Sequence, residues 1–116
     1  MDKKKFEEID NYLNAADKNL ARKELITISQ TCQHDPDYLY LRAKLLKCDQ
    51  NIYMSIDALI ISLQIHQTEK SFNLLSELFS IIGNQEFADK LKNRDMQSDT
   101  LTKLIKFTPG IIWKKK

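Results

Sequence analysis

Residues 72–91 read Phe-Asn-Leu-Leu-Ser-Glu-Leu-Phe-Ser-Ile-Ile-Gly-Asn-Gln-Glu-Phe-Ala-Asp-Lys-Leu, and this stretch decides the fold. Phe72, Leu75, Phe79 and Ile82 recur at three to four residues, the period of one helix face. Gly83-Asn84 then breaks the pattern: glycine accepts the left-handed backbone that ends a helix, and asparagine caps the next one. Ala88 and Leu91 resume the period at once. Two helices joined by so short a link run antiparallel. The small side chains Ser76 and Ala88 let them approach to the close end of the usual ~8–10 Å range.

The same hairpin recurs upstream. Ala21, Ser55 and Ala88 stand near the start of each second helix, at intervals of 34 and 33 residues. That offset also aligns Ile9 with Ala43 and Ser76, and Tyr12 with Leu46 and Phe79. Ala16, Gln50 and Gly83 fall together at the inter-helix turn, followed in every unit by Asp17, Asn51 or Asn84. Asp35-Pro36 is an N-cap followed by proline at the first helical position, where its missing N–H does no harm. Asp17, Asn51, Thr68 and Ser98 are further candidate caps. The spacing predicts six helices in three pairs and then a shorter seventh. The boundaries are a domain over 1–107, with repeats at about 2–35, 36–68 and 69–97, a capping helix at 98–107 and an apolar, basic tail at 108–116.

With its period near 34 residues, this pattern resembles the tetratricopeptide repeat. The third unit matches best, through Phe72, Leu75, Ser76, Phe79, Gly83, Asn84, Ala88 and Leu91. The second keeps Leu39, Ala43, Leu46, Ser55, Leu59 and Ser62. The first departs most, with Lys5 for a large residue, Ile9 for a small one and Ala16 for glycine, as terminal repeats often do. The resemblance implies an all-α solenoid of three antiparallel helix pairs plus a C-terminal capping helix. It also implies a concave groove lined by the first helix of each pair.

By position, the groove would take Lys3, Phe6, Asp10 and Leu13 from the first unit. The second would add Asp37, Tyr40, Lys44 and Lys47, and the third Lys70, Asn73, Glu77 and Ser80. Phe6, Leu13 and Tyr40 would form an apolar patch beside Lys44 and Lys47. Such a surface suits a protein or peptide partner in the form of an amphipathic helix or extended segment with apolar anchors and some acidic residues. The other reading of Phe6 and Leu13 places them in the core of a frayed first pair. Some repeat proteins of this kind grip a terminal carboxylate. Here Phe6 and Asp10 occupy positions where such a clamp wants lysine and asparagine, so that mode is not expected.

Composition sets the remaining bounds. Hydrophobic residues make up 42% and charged residues 29% of 116, ordinary for a globular domain. With only two glycines and two prolines, a turn-rich β-sandwich is hard to build. Eighteen basic against sixteen acidic residues leave a net charge of +2, which gives no electrostatic case for nucleic acid. Lysines at 3–5 and 114–116 read as solvated termini. The densest apolar segment, Ile56 to Ile65, is interrupted by Asp57, Ser62 and Gln64, so no membrane span is expected. No apolar stretch follows the basic start, so a secretory signal is absent and a cytoplasmic location follows. Cys32 and Cys48 are too few for a disulfide framework and read as reduced thiols.

Catalytic chemistry finds no foothold. His34 and His66 lie near helix ends without a partner motif. Cys32 and His34 would need Cys48 and His66 to converge on them to approach a zinc site. Glu7, Glu8 and Asp10 read as a solvated acidic face. No glycine-rich phosphate loop exists. No cofactor and no enzyme activity are expected.

Past the third unit, Leu101, Leu104, Ile105 and Phe107 fall on one side of a short helix that would cover an apolar end face. Ile111, Ile112 and Trp113 then either tuck back onto the body, make an intermolecular contact, or mark a cut in a longer chain. The expected function is a binding module. Its most concrete form resembles the small bacterial chaperones that keep type III secretion needle subunits from polymerising. The alternative is a structural or oligomerising subunit docking through Ile111, Ile112 and Trp113.

Overall fold

The computed structural model describes residues 3–93. They form six helices and no strand: α1 (Lys3–Asn14), α2 (Lys18–Cys32), α3 (Pro36–Cys48), α4 (Ile52–Ile65), α5 (Glu69–Ile81) and α6 (Gln85–Asn93). The expected capping helix at 98–107, its Ser98 cap, and Ile111, Ile112 and Trp113 lie outside the described residues.

The three turns within pairs have one geometry. Ala16, Gln50 and Gly83 all take positive φ, at 61°, 65° and 88°. In each turn the next residue's N–H reaches back five residues, from Asp17 to Tyr12, Asn51 to Leu46 and Asn84 to Phe79, at 2.8, 2.8 and 2.9 Å. The positive-φ residue itself donates three residues back, to Leu13, Lys47 and Ser80. This double bond satisfies two carbonyls that the helix end would otherwise leave free. The first unit therefore builds the same stop as the third although it lacks glycine.

N-caps are more varied. Asp35 Oδ1 accepts from the N–H of Asp37 at 2.8 Å, with Pro36 in the first turn. Asn84 Oδ1 accepts from the N–H of Phe87 at 3.1 Å, and Thr68 Oγ1 from that of Ser71 at 3.3 Å. Asp17 makes a longer bond to the N–H of Leu20, at 3.4 Å. Asn51 holds the cap position without a side-chain bond.

Within each pair the aligned small positions meet. Ala43 and Ser55 are both wholly buried, and Ser76 and Ala88 nearly so. The Ser55 hydroxyl donates to the Ala43 carbonyl at 2.6 Å, and that of Ser76 to the Ala88 carbonyl at 2.5 Å. In the first pair Ile9 and the aligned Ala21 belong to one apolar cluster, and both are fully buried.

Helix α3 is the hub, packing against α1, α2, α4 and α5. Its Leu39, Leu41 and Leu45 join one apolar cluster with Phe6, Ile9, Leu13, Leu25 and Ile28. Its Ala43 joins the other, around Ile56, Leu59, Leu63, Leu75, Leu78 and Phe79. Arg22 of α2 also holds Asp49 beyond the end of α3, at 2.5 Å, with Lys18 at 3.6 Å.

Among the described residues, α6 carries polar side chains on its exposed face. The 33-residue offset puts Asp89 and Lys92 where the second unit has Ile56 and Leu59. The latter are fully buried beneath the next pair, whereas Asp89, Lys92 and Gln85 are exposed. Among its described side chains, helix α6 buries Ala88 and Leu91 and stacks Phe87 on Phe79, with ring centroids 4.9 Å apart. Ile81, at the end of α5, is the large apolar side chain left open there.

Candidate partner-binding groove

Helices α1, α3 and α5 lie side by side, because each short turn returns the chain and the next pair repeats the placement. Their shared face carries a depression of about 280 Å³ toward the helix N-termini, lined among others by Phe6, Asp10, Asp37 and Tyr40. A second, of about 550 Å³, lies toward their C-termini and shares Tyr40 and Lys70 with the first. Together they make one groove, with Tyr40 in the middle. It leads into a third depression of about 440 Å³ at the α5–α6 end, through Asn73 and Glu77.

Rows of side chains cross this groove, set by the repeat offset. One row is Lys3, Asp37 and Lys70; another is Asp10, Lys44 and Glu77. Charge alternates from unit to unit in both; one ion pair is made within each row, Lys70–Asp37 and Lys44–Asp10, while Glu77 takes Lys47 from the next turn of α3. Lys44 Nζ lies 2.5 Å from Asp10 Oδ1 and 2.8 Å from Asn14 Oδ1, joining α3 to α1. Lys47 Nζ lies 2.6 Å from Glu77 Oε1, and Lys70 Nζ 2.9 Å from Asp37 Oδ1, joining α3 to α5. These pairs are part-exposed, and pairs of that kind are each worth about 0–1 kcal/mol. Their effect is to fix spacing more than to supply stability.

Tyr40 sits half-buried between two of these cations. Lys70 Nζ is 4.8 Å from its ring centroid and Lys44 Nζ 5.7 Å, both within cation–π range. Burial raises the Tyr40 phenol above its ordinary pKa, helped by the negative charges of Asp10 and Glu77. At neutral pH it is therefore an uncharged hydroxyl on an aromatic platform.

The sequence-derived groove residues divide accordingly. Asp10, Tyr40, Lys44, Lys47, Asn73 and Glu77 come together on this face. Phe6 and Leu13 contribute to its floor but are only 8% and 5% exposed, packed in the first apolar cluster. Tyr40 is thus the aromatic surface the groove offers, and the apolar patch foreseen from three residues is smaller. Asn14, Glu7 and Cys48 also line the groove and were not foreseen. Asn14 is one turn beyond Asp10, and that i, i+4 relation was the available signal.

Elsewhere, His34 and His66 are exposed, Cys32 is buried and Cys48 exposed. Among the described residues no group of three His, Cys, Asp or Glu side chains could hold a metal ion. No helix among them is long and apolar enough to cross a membrane. Comparison of the chain with protein-family models, with curated proteins and with solved structures finds no match.

Proposed function

We propose that this chain is a non-catalytic protein-binding module of tetratricopeptide type, acting in the cytoplasm, whose α1–α3–α5 groove holds a segment of a client. Its most concrete form is a small bacterial export chaperone that shields an amphipathic helical segment until export. Such a chaperone acts by mass action, lowering the free client concentration. The observation that carries this reading is Tyr40, a half-buried aromatic at the centre of an open groove, held between the ammonium groups of Lys44 and Lys70. Aromatic anchors flanked by polar groups are the usual energetic centres of protein interfaces.

The test is affinity capture from native cell extract with mass spectrometry, comparing the natural sequence with a Tyr40→Ala, Lys44→Glu double variant. One small helical client lost with the variant supports the reading. The same partners captured by both proteins overturn it.

A second reading, an oligomerising or structural subunit of a larger assembly, draws support from apolar exposure outside the groove. Ile26 is 67% exposed on α2 and Met54 51% on α4. Sedimentation across a concentration series separates the two readings, because the subunit must self-associate or assemble without a client.

A further inference from the structure

Six charged side chains of the groove face are matched one to one. Lys44 Nζ holds Asp10 Oδ1 at 2.5 Å, Lys47 Nζ holds Glu77 Oε1 at 2.6 Å, and Lys70 Nζ holds Asp37 Oδ1 at 2.9 Å. All six line the groove's two depressions, and each ion pair crosses from one helix pair to the next. The Tyr40 ring links them, with Lys44 of its own helix 5.7 Å and Lys70 of α5 4.8 Å from its centroid. A chain of contacts therefore crosses the groove from Asp10 through Lys44, Tyr40 and Lys70 to Asp37.

Lys70 occupies the first turn of α5, where the helix dipole disfavours a cation. Asp37 and the Tyr40 ring supply the opposing attraction. The lysine thus serves the crossing rather than its own helix.

Behind this face the apolar packing is divided. Phe6, Ile9, Leu25 and Leu39 belong to one buried cluster, and Ile56, Leu59, Leu75 and Phe79 to another. Helix α3 contributes to both, and Tyr40 packs against both from the seam between them. A close-packed cluster resists deformation. Tilting one cluster against the other is the softer motion, a small sliding of packed helices at α3. The ion pairs in front of the seam are part-exposed, from 20% at Lys44 to 52% at Glu77. Such pairs are screened by salt and part at little cost.

We propose that the three ion pairs and Tyr40 form a salt-sensitive clasp that sets the width of the groove. With the pairs made, α1, α3 and α5 are drawn together on the groove face. As the pairs are screened, α1 and α5 swing apart about the α3 seam while both apolar clusters stay whole. Ionic strength then grades the groove's width, and with it the bulk of any segment that can enter.

The experiment measures that width in the full chain with no client present. Nitroxide labels at Asn11→Cys on α1 and Ser80→Cys on α5, both exposed positions, report the α1–α5 distance by pulsed electron resonance. A Cys48→Ser background removes the exposed native thiol, and Cys32 is buried from the label. Raising salt from about 0.1 M to about 1 M cuts the screening length from about 10 to about 3 Å. The expected result is a mean distance longer by several ångströms, with helix content by circular dichroism unchanged. Lys47→Glu sets like charges against each other and should lengthen the distance already at low salt. Adding Glu77→Lys should restore it.

A distance that stays constant or shortens across the salt series would overturn the clasp. So would a reversed pair that remains as open as Lys47→Glu alone. Should Lys47→Glu lose its helical signal, the salt series on the natural pairing decides by itself. Because no client takes part, failure here leaves the client-capture experiment to judge the binding reading separately.

Discussion

The hydroxyl of Ser55 donates to the carbonyl of Ala43 across the second helix pair, and in the third pair the direction reverses, with Ser76 donating to Ala88. Both bonds lie in buried contacts between the two helices of a pair, where the aligned positions are serine and alanine. The serine stands on the second helix in one unit and on the first in the next. Either arrangement lets one backbone carbonyl accept a second bond without opening the interface.

Replacing Ser55 or Ser76 by alanine should therefore cost about 1 kcal/mol, the net worth of one hydrogen bond. The carbonyl left behind retains its helical bond, which keeps the loss modest. The double variant Ala43→Ser, Ser55→Ala should recover most of it by adopting the third pair's arrangement. Valine at 55 should cost more, about 1–3 kcal/mol, because it overpacks the crossing. Urea denaturation of the four variants checks all of this.

Turn substitutions should move stability in opposite directions. Ala16 and Gln50 hold left-handed backbone that β-carbons disfavour. Glycine at either position should stabilise the chain by about 1 kcal/mol, the strain relieved less the added freedom of the unfolded state. Gly83→Ala should cost a similar amount, and from conformation alone, since a β-carbon there would meet nothing within 4 Å. Thermal melts of the three single variants give the comparison.

Acid should weaken the tie between the first two pairs. The hydrogen bond from Arg22 holds Asp49 below its ordinary pKa of 3.8, with further help from the charges of Arg22 and Lys18. A carboxylate with a depressed folded pKa contributes stability above its unfolded value and loses it as pH falls through the folded one. Stability of the natural chain relative to Asp49→Asn should thus be constant near neutrality and shrink below pH 3.8. The pair is part-exposed, so the effect is small and declines with salt.

Tyr40 should show the opposite window. Its raised folded pKa means the neutral phenol is favoured by folding, so this contribution is present below its unfolded value of 10.0 and is lost as pH rises past it. Tyrosinate absorbance should place one residue above the ordinary range. Asp10→Asn and Glu77→Gln should each bring it down by removing a negative neighbour.

Much of the fold was legible in the sequence. The 34 and 33 residue offsets located every turn, and Gly83-Asn84 gave the geometry that Ala16 and Gln50 then repeat against their own preference. The Lys3–Asp37–Lys70 and Asp10–Lys44–Glu77 rows were also present as alternating charge at fixed repeat positions. Their pairing was not legible, because it depends on how far apart α1, α3 and α5 lie. The depth of Phe6 and Leu13 was hidden for a similar reason. A periodic apolar residue marks a face, and the residues that cover it, here Leu39, Leu41 and Leu45 of α3, come from another element.

The sequence by itself determined the three helix pairs, their turns and the side of each helix that could face a groove. Local backbone chemistry and periodic apolar spacing are enough for that, since both act within a few residues. Only the tertiary structure decided which lysines meet around Tyr40, which carboxylates hold them and how little of Phe6 remains open. Those outcomes depend on distances between residues 30 or more positions apart, and packing of the whole stack sets such distances.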